Sequence, residues 1–254
     1  MNIQQELLIK IAESQPYPLI FASISGSHLY GFSSPDSDYD LRGIHILPAQ
    51  EVVGLYSIKE TIEVSEIKED VQIDLVTHDL KKFFNLLLTR NGYVLEQLHS
   101  PLIVKTTPEH QLLQLIAEKC LTRYHYYHYL GFAKTQWRLF TKENVHQIKP
   151  LLYVYRVLLT GIYLMNTGKI EANLINLNQI FQLPYIPDLI AQKSQSSEKS
   201  LLNQTDIAFH QQEYQKLQNQ LEIAFENTHL PNEATAKSEL NDLLIKLRLP
   251  NGDL

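Results

Sequence analysis

The chain has 254 residues and a formal net charge of −6, with Cys120 as its one cysteine; this length holds one large domain or two modest ones, each with its own core. A lone cysteine excludes an internal disulfide and fits a reducing compartment, and the acidic total argues against a protein that coats nucleic acid non-specifically. The opening MNIQQELLIKIAES lacks the basic start and cleavage site of a signal peptide, and the longest apolar stretch, Leu151 to Met165, is short of a membrane span and contains Arg156, so a cytoplasmic protein with no membrane association is predicted.

In chain order, the periodicity predicts a helix over Ile3–Ser14, ended before Pro16 and Pro18, then a buried strand over Leu19–Ser25. Gly26 and Ser27 follow, with a single helical turn at His28 to Gly31. Asp38 and Asp40 then run into Leu41–Leu47, which alternates apolar and polar residues as a half-buried strand does. Thr61–Ile67, Lys68-Glu69-Asp70 and Val71–Thr77 read as strand, turn, strand, with Asp79 or Thr77 capping a helix over Leu80–Thr89. A helical part succeeds it: Glu109–Tyr129, Gly131–Thr141 and Val145–Thr167, with turns at Gly131 and Gly168. Asn173–Pro187 reads as a short helix with an irregular exit, and QKSQSSEKS at 192–200 as a mobile loop. Ile207, Tyr214, Leu217, Leu221 and Phe225 repeat at helical spacing, as do Leu240, Leu243, Leu244 and Leu247. The fold class is α+β: a small mixed sheet with flanking helices over 1–104, then a helical domain over 105–254.

The segment Gly26–Asp40, GSHLYGFSSPDSDYD, carries the chemistry. A small pair at a strand-to-helix turn exposes backbone N–H groups to an anion: Gly permits close approach and Ser adds a hydroxyl. On a strand, Asp38 and Asp40 at i and i+2 point the same way. Two adjacent carboxylates repel unless a cation lies between them, and Mg²⁺ suits such a pair because it takes hard oxygen ligands together with substrate phosphates. Taken alone, D-x-D pairs and Gly-Ser turns are also common in solvated loops; their order and spacing give the segment its meaning.

That order, Gly-Ser followed about ten residues later by Asp-x-Asp on a strand, resembles the DNA polymerase β-type nucleotidyltransferase superfamily. GSHLYGFSSPDSDYDLRGI looks most like the predicted nucleotidyltransferases that include RNA-ligase-associated RNA repair enzymes. QIDLVTHDLKKFF (Gln72–Phe84), NGYVLEQLHSP (Asn91–Pro101), YLGFAKTQWR (Tyr129–Arg138) and KPLLYVYRVLLTGIYL, with Lys149 and Arg156, extend the likeness over residues 19–170. The family usually has a His between that Lys and Arg, where this chain carries Tyr153.

The resemblance implies transfer of a nucleoside monophosphate from an NTP to an acceptor hydroxyl, with pyrophosphate released and two Mg²⁺ or Mn²⁺ ions as cofactors. It implies Asp38, Asp40 and a third carboxylate, best matched by Asp74, as catalytic and metal-binding residues. Gly26, Ser27, Arg42, Lys149 and Arg156 are the implied nucleotide contacts. The basic, aromatic stretch from Lys119 to Lys169 suits an RNA or DNA end as acceptor, while the acidic total leaves a small-molecule or protein hydroxyl open. A non-catalytic nucleotide-binding module is the third reading, disfavoured by the presence of all three aspartates. The C-terminal helices could serve an oligomer.

Overall fold

The computed structural model describes residues 3–142, 146–195 and 207–249. Its elements run α1 (Ile3–Glu13), β1 (Leu19–Ile24), α2 (Gly26–Tyr30), β2 (Tyr39–His45), α3 (Ala49–Val53), β3 (Thr61–Lys68), β4 (Val71–Asp79), α4 (Leu80–Leu88), α5 (Gly92–Leu98) and β5 (Ile103–Lys105). They continue through α6 (Pro108–Glu118), α7 (His125–Thr141), α8 (Ile148–Thr167), α9 (Leu174–Phe181), α10 (Ile186–Ser194), α11 (Ile207–Asn227) and α12 (Lys237–Arg248). Two compact units interleave along the chain. The first takes Met1–Ser25, Asp38–Cys120 and Glu233–Leu254, the second Gly26–Ser37 and Leu121–Asn232. The sequence reading had divided the chain once, near residue 104.

The first unit is built on a five-stranded sheet of order β3-β4-β2-β1-β5. β2 and β4 run parallel, and the other neighbours are antiparallel. Alternation decides the faces. Leu41, Ile73 and Leu75 pack against Leu7, Leu8 and Ile11 of α1, forming one apolar layer. Their neighbours Asp40, Arg42 and Asp74 therefore lie on the opposite face. The β3–β4 turn places Glu69 and Asp70 at φ 51° and 62°, the left-handed pair whose twist suits a tight hairpin.

Of the two capping candidates for α4, Asp79 is the one used: its carboxylate accepts from the Lys81 N–H. Thr77 instead meets His45 Nδ1 at 2.8 Å. The last described helix, α12, returns to the first unit. Lys119 donates to Glu239 at 2.7 Å, the Thr235 N–H donates to the Lys119 carbonyl, and Arg248 pairs with Asp79. These contacts carry sequence positions beyond 233 back to the unit that holds the sheet.

In the second unit α8 is the central helix, packed by α7 and α11, with Leu151, Leu152, Tyr155, Leu158 and Leu159 buried. By length and composition α8 could cross a membrane, but 78% of its apolar window is buried within the protein, so its apolarity is used in the core. The expected helix Glu109–Tyr129 is broken. α6 ends at Glu118, and the chain then turns so that the Arg123 N–H donates to the Pro231 carbonyl and the Thr122 N–H to His125 Nδ1. Gly131 lies within α7 instead of ending a helix; one interior glycine costs only about 1 kcal/mol relative to alanine. Gly168 does end α8, at φ 68°. Of the expected mobile loop 192–200, positions up to Ser194 belong to α10 and the rest from 196 lies outside the described residues.

Candidate active site

The parallel pairing of β2 with β4 sets the site's central geometry. Asp40 is the register partner of Asp74, and Leu41 of Leu75. Neighbouring strands lie about 4.8 Å apart, so two carboxylates from distant parts of the sequence stand side by side on one face. Both are partly exposed. β3 extends the row, since Ser65 is the partner of Asp74 on its other side. Asp38 differs from the expectation. It is exposed and immediately precedes β2, which begins at Tyr39. A turn precedes it, in which the Ser37 N–H donates to the Ser34 carbonyl and the Ser34 N–H to Ser37 Oγ.

Each strand carboxylate is held by a neighbour. Arg42 Nη2 donates to Asp40 Oδ1 at 2.5 Å, Nη1 to the carbonyls of Leu41 (2.8 Å) and Asp74 (2.7 Å), and Nε to Tyr93 Oη at 3.1 Å. The guanidinium thus spans β2, β4 and α5 with its side chain 13% exposed. Burial works against its charge, but the Tyr93 hydroxyl and the Asp40 carboxylate outweigh burial and raise its pKa. Gln72 Nε2 donates to both Ser65 Oγ (2.9 Å) and Asp74 Oδ1 (3.2 Å), which orients the second carboxylate. Further along the same face, His78 meets Thr61 Oγ1 at 3.0 Å, and Lys82 donates to that hydroxyl at 2.5 Å. Burial, reinforced by Lys82, holds the His78 pKa down at about 4, so the imidazole is neutral near pH 7.

The donor set fits a hard divalent ion. Among the described residues no three His, Cys, Asp or Glu side chains form a ready-made cage. What the strands offer is an oxygen pair, Asp40 and Asp74, and Mg²⁺ is commonly held by one or two carboxylates plus substrate oxygens and water.

The remaining expected residues belong to the second unit. Gly26 opens α2 with φ 62°, a conformation that favours glycine. Ser27 is buried, and its carbonyl accepts from the N–H groups of Gly31 and Phe32, closing the short helix. Lys149 sits half-buried in the first turn of α8. Arg156 is buried at 3% exposure, its guanidinium carbon 3.9 Å from the centre of the Tyr30 ring. Tyr153, in place of the family's usual His, packs edge-on against Tyr30 and Phe32. Arg156 and Tyr153 thus both support the end of α2.

Sequence reasoning missed three residues here. Tyr93 and Gln72 sit inside the NGYVLEQLHSP and QIDLVTHDLKKFF segments, and the i−2 spacing of Gln72 from Asp74 is a usable signal. Lys193 gave none: it falls in a polar stretch, yet it is fully buried, with Nζ donating to Ser34 Oγ at 2.7 Å.

A model of the RNA repair pathway DNA polymerase beta family matches residues 1–246. The chain belongs to that family. It is therefore nucleotidyltransferase-like, and its relatives are found in bacteria, archaea and phage. The uncharacterized protein YcgL of Bacillus subtilis is 28% identical over 247 residues, covering 94% of this chain and 92% of that protein. An uncharacterized protein of Methanocaldococcus jannaschii is 34% identical over 156 residues, 61% of this chain and 63% of the archaeal protein. The chain thus spans less than two thirds of that relative's length. A solved structure of a nucleotidyltransferase-like protein from Exiguobacterium sibiricum aligns with TM-score 0.33 and 12% identity, over 99% of this chain and 80% of that one.

Proposed function

We propose that this member of the RNA repair pathway DNA polymerase beta family transfers a nucleoside monophosphate from an NTP to the hydroxyl of an RNA end. The observation that carries the reading is the side-by-side register of Asp40 and Asp74 on parallel strands. In the reaction the acceptor oxygen bonds to the α-phosphorus, the bond from that phosphorus to the bridging oxygen breaks, and pyrophosphate leaves. Asp40 and Asp74, with Asp38, would hold Mg²⁺ or Mn²⁺. Bound there, such ions neutralise phosphate charge and acidify the acceptor hydroxyl. Asp74 is assigned to the acceptor side and Asp40 to the α-phosphate side. Gly26, Ser27 and Lys149 are the triphosphate contacts that the family resemblance implies, and Arg156 packs on Tyr30 at the end of α2.

The test is incubation with Mg²⁺ or Mn²⁺, each α-labelled NTP in turn, and short RNA and DNA oligonucleotides. Label should move to RNA with the wild type and not with Asp40→Asn or Asp74→Asn, both expected to fold. Label arriving on the protein or a small acceptor would redirect the acceptor assignment. Failure of the wild type to bind any NTP would overturn the enzymatic reading.

A further inference from the structure

Two motifs with no assigned role, NGYVLEQLHSP and the Gln of QIDLV, converge on the carboxylate row. Tyr93 is the third residue of the first, placed in the opening turn of α5 by the Asn91 cap, whose Oδ1 accepts from the Tyr93 N–H at 3.0 Å. From there its hydroxyl accepts from Arg42 Nε. The guanidinium makes four hydrogen bonds to protein acceptors, one each with Tyr93, Leu41, Asp74 and Asp40. Guanidinium has five N–H groups, so at most one is left for a phosphate. The sequence pattern alone had offered Arg42 as a nucleotide contact, and the bonding turns it inward.

The geometry has an electrostatic consequence. Two carboxylates at adjacent-strand spacing repel each other. The Arg42 charge lies directly against Asp40 Oδ1 and bonds the main chain of Asp74. It therefore balances the row when no cation is present, and it opposes any cation that arrives. Tyr93 keeps the fork from swinging away, because among the described residues the Nε–Oη bond is the guanidinium's one hydrogen bond outside the two central strands.

We propose that Arg42 and Tyr93 are positioning residues: Tyr93 fixes the Arg42 guanidinium, and Arg42 fixes the Asp40 carboxylate and sets its affinity for a divalent ion. Gln72, bridging Ser65 and Asp74, does the same for the second carboxylate without adding charge. The proposal rests on the metal-dependent reading above and adds that Arg42 acts through Asp40 and not through the triphosphate. It separates two quantities that a merely structural role would move together. Loss of the Arg42 charge strengthens ion binding while slowing turnover.

The experiment uses the full chain and Mn²⁺ alone as probe, titrated by electron paramagnetic resonance, followed by steady-state transfer kinetics and thermal melts. Arg42→Gln is expected to bind Mn²⁺ about tenfold more tightly, the size of effect that removing one like charge at this range gives even under water-like screening. Its kcat is expected to fall at least as far. Tyr93→Phe keeps the charge and the ring. Mn²⁺ affinity within about twofold of wild type is expected for it, with kcat lowered about tenfold, KM for NTP unchanged and the melt retained. Arg42→Lys should keep wild-type ion affinity without restoring kcat, since one ammonium cannot reach all four acceptors. A raised KM for NTP in Arg42→Gln with unchanged Mn²⁺ affinity would place Arg42 on the triphosphate and overturn the proposal. Wild-type kinetics in Tyr93→Phe would overturn its Tyr93 half. No Mn²⁺ binding by the wild type would instead overturn the metal-dependent reading on which the proposal stands.

Discussion

Asp79→Ala is expected to be among the most damaging single changes in the first unit, although the residue lies outside the carboxylate row. The side chain of Asp79 is 2% exposed and meets three donors: Arg248 Nη2 at 2.5 Å, the Leu47 N–H at 3.2 Å and the Lys81 N–H at 3.0 Å. Loss of the N-cap costs about 1 kcal/mol, and an unsatisfied buried N–H at Leu47 costs about 1 kcal/mol more. The largest contribution is the Arg248 guanidinium, 10% exposed and left without its counter-charge. Breaking a buried pair from one side costs about 3–5 kcal/mol. These contributions overlap, and about 4 kcal/mol is expected in total. The double change Asp79→Asn with Arg248→Met should recover most of it. Asn retains the cap acceptor and Met removes the buried charge, including the Arg248 Nε that has no partner among the described residues. Urea unfolding followed by circular dichroism at neutral pH measures both. A cost below about 1 kcal/mol for Asp79→Ala, or a double variant as unstable as the single, would refute the reasoning.

Gly43→Ala should destabilise the sheet by about 2–3 kcal/mol in the same assay, because a Cβ there would lie 2.3 Å from the Phe21 carbonyl oxygen on the adjacent strand. Cys120 is buried and its thiol is pushed up to about 12, so the native protein should resist thiol reagents at pH 8 and react only on unfolding. His78, held at about 4, should show no imidazole titration by NMR between pH 5 and 8. Its folded pKa lies below the unfolded value, so the unfolded chain binds the proton first. Stability from this group is complete above about pH 6.5, declines as pH falls towards about 4 and changes no further below that. Replacing His78 with Gln should flatten that decline.

The parts of the fold that were legible in the sequence are those with local causes. Ile73 and Leu75 flank Asp74 with strand alternation, so its placement on the face opposite the core follows from periodicity. Gly168 ends α8 in the left-handed conformation that a helix stop requires. The misses have non-local causes. D-x-D alternation does not show where pairing begins, and the β2–β4 register starts at Tyr39, one residue after Asp38. Lys193 reads as part of a solvated polar run, yet it is fully buried and donates to the distant Ser34 hydroxyl. The helix break after Glu118 is fixed by partners more than 100 positions away, at Pro231 and Thr235.

The same distinction applies to Arg42, whose hydrogen bonds run to Asp40, Leu41, Asp74 and Tyr93. Its i+2 relation to Asp40 is local and puts both side chains on one face, which makes a phosphate contact a natural reading. Where the guanidinium turns depends on which strand lies beside β2 and in what register, and on which helix covers that face. The parallel register that puts Asp74 opposite Asp40 also brings the Asp74 carbonyl within 2.7 Å of Arg42 Nη1. One non-local pairing thus creates both the carboxylate repulsion and the cation that balances it. A divalent ion entering this face must compete with Arg42 for Asp40. On the metal-dependent reading proposed above, ion binding and the orientation of Asp40 would be coupled through Arg42.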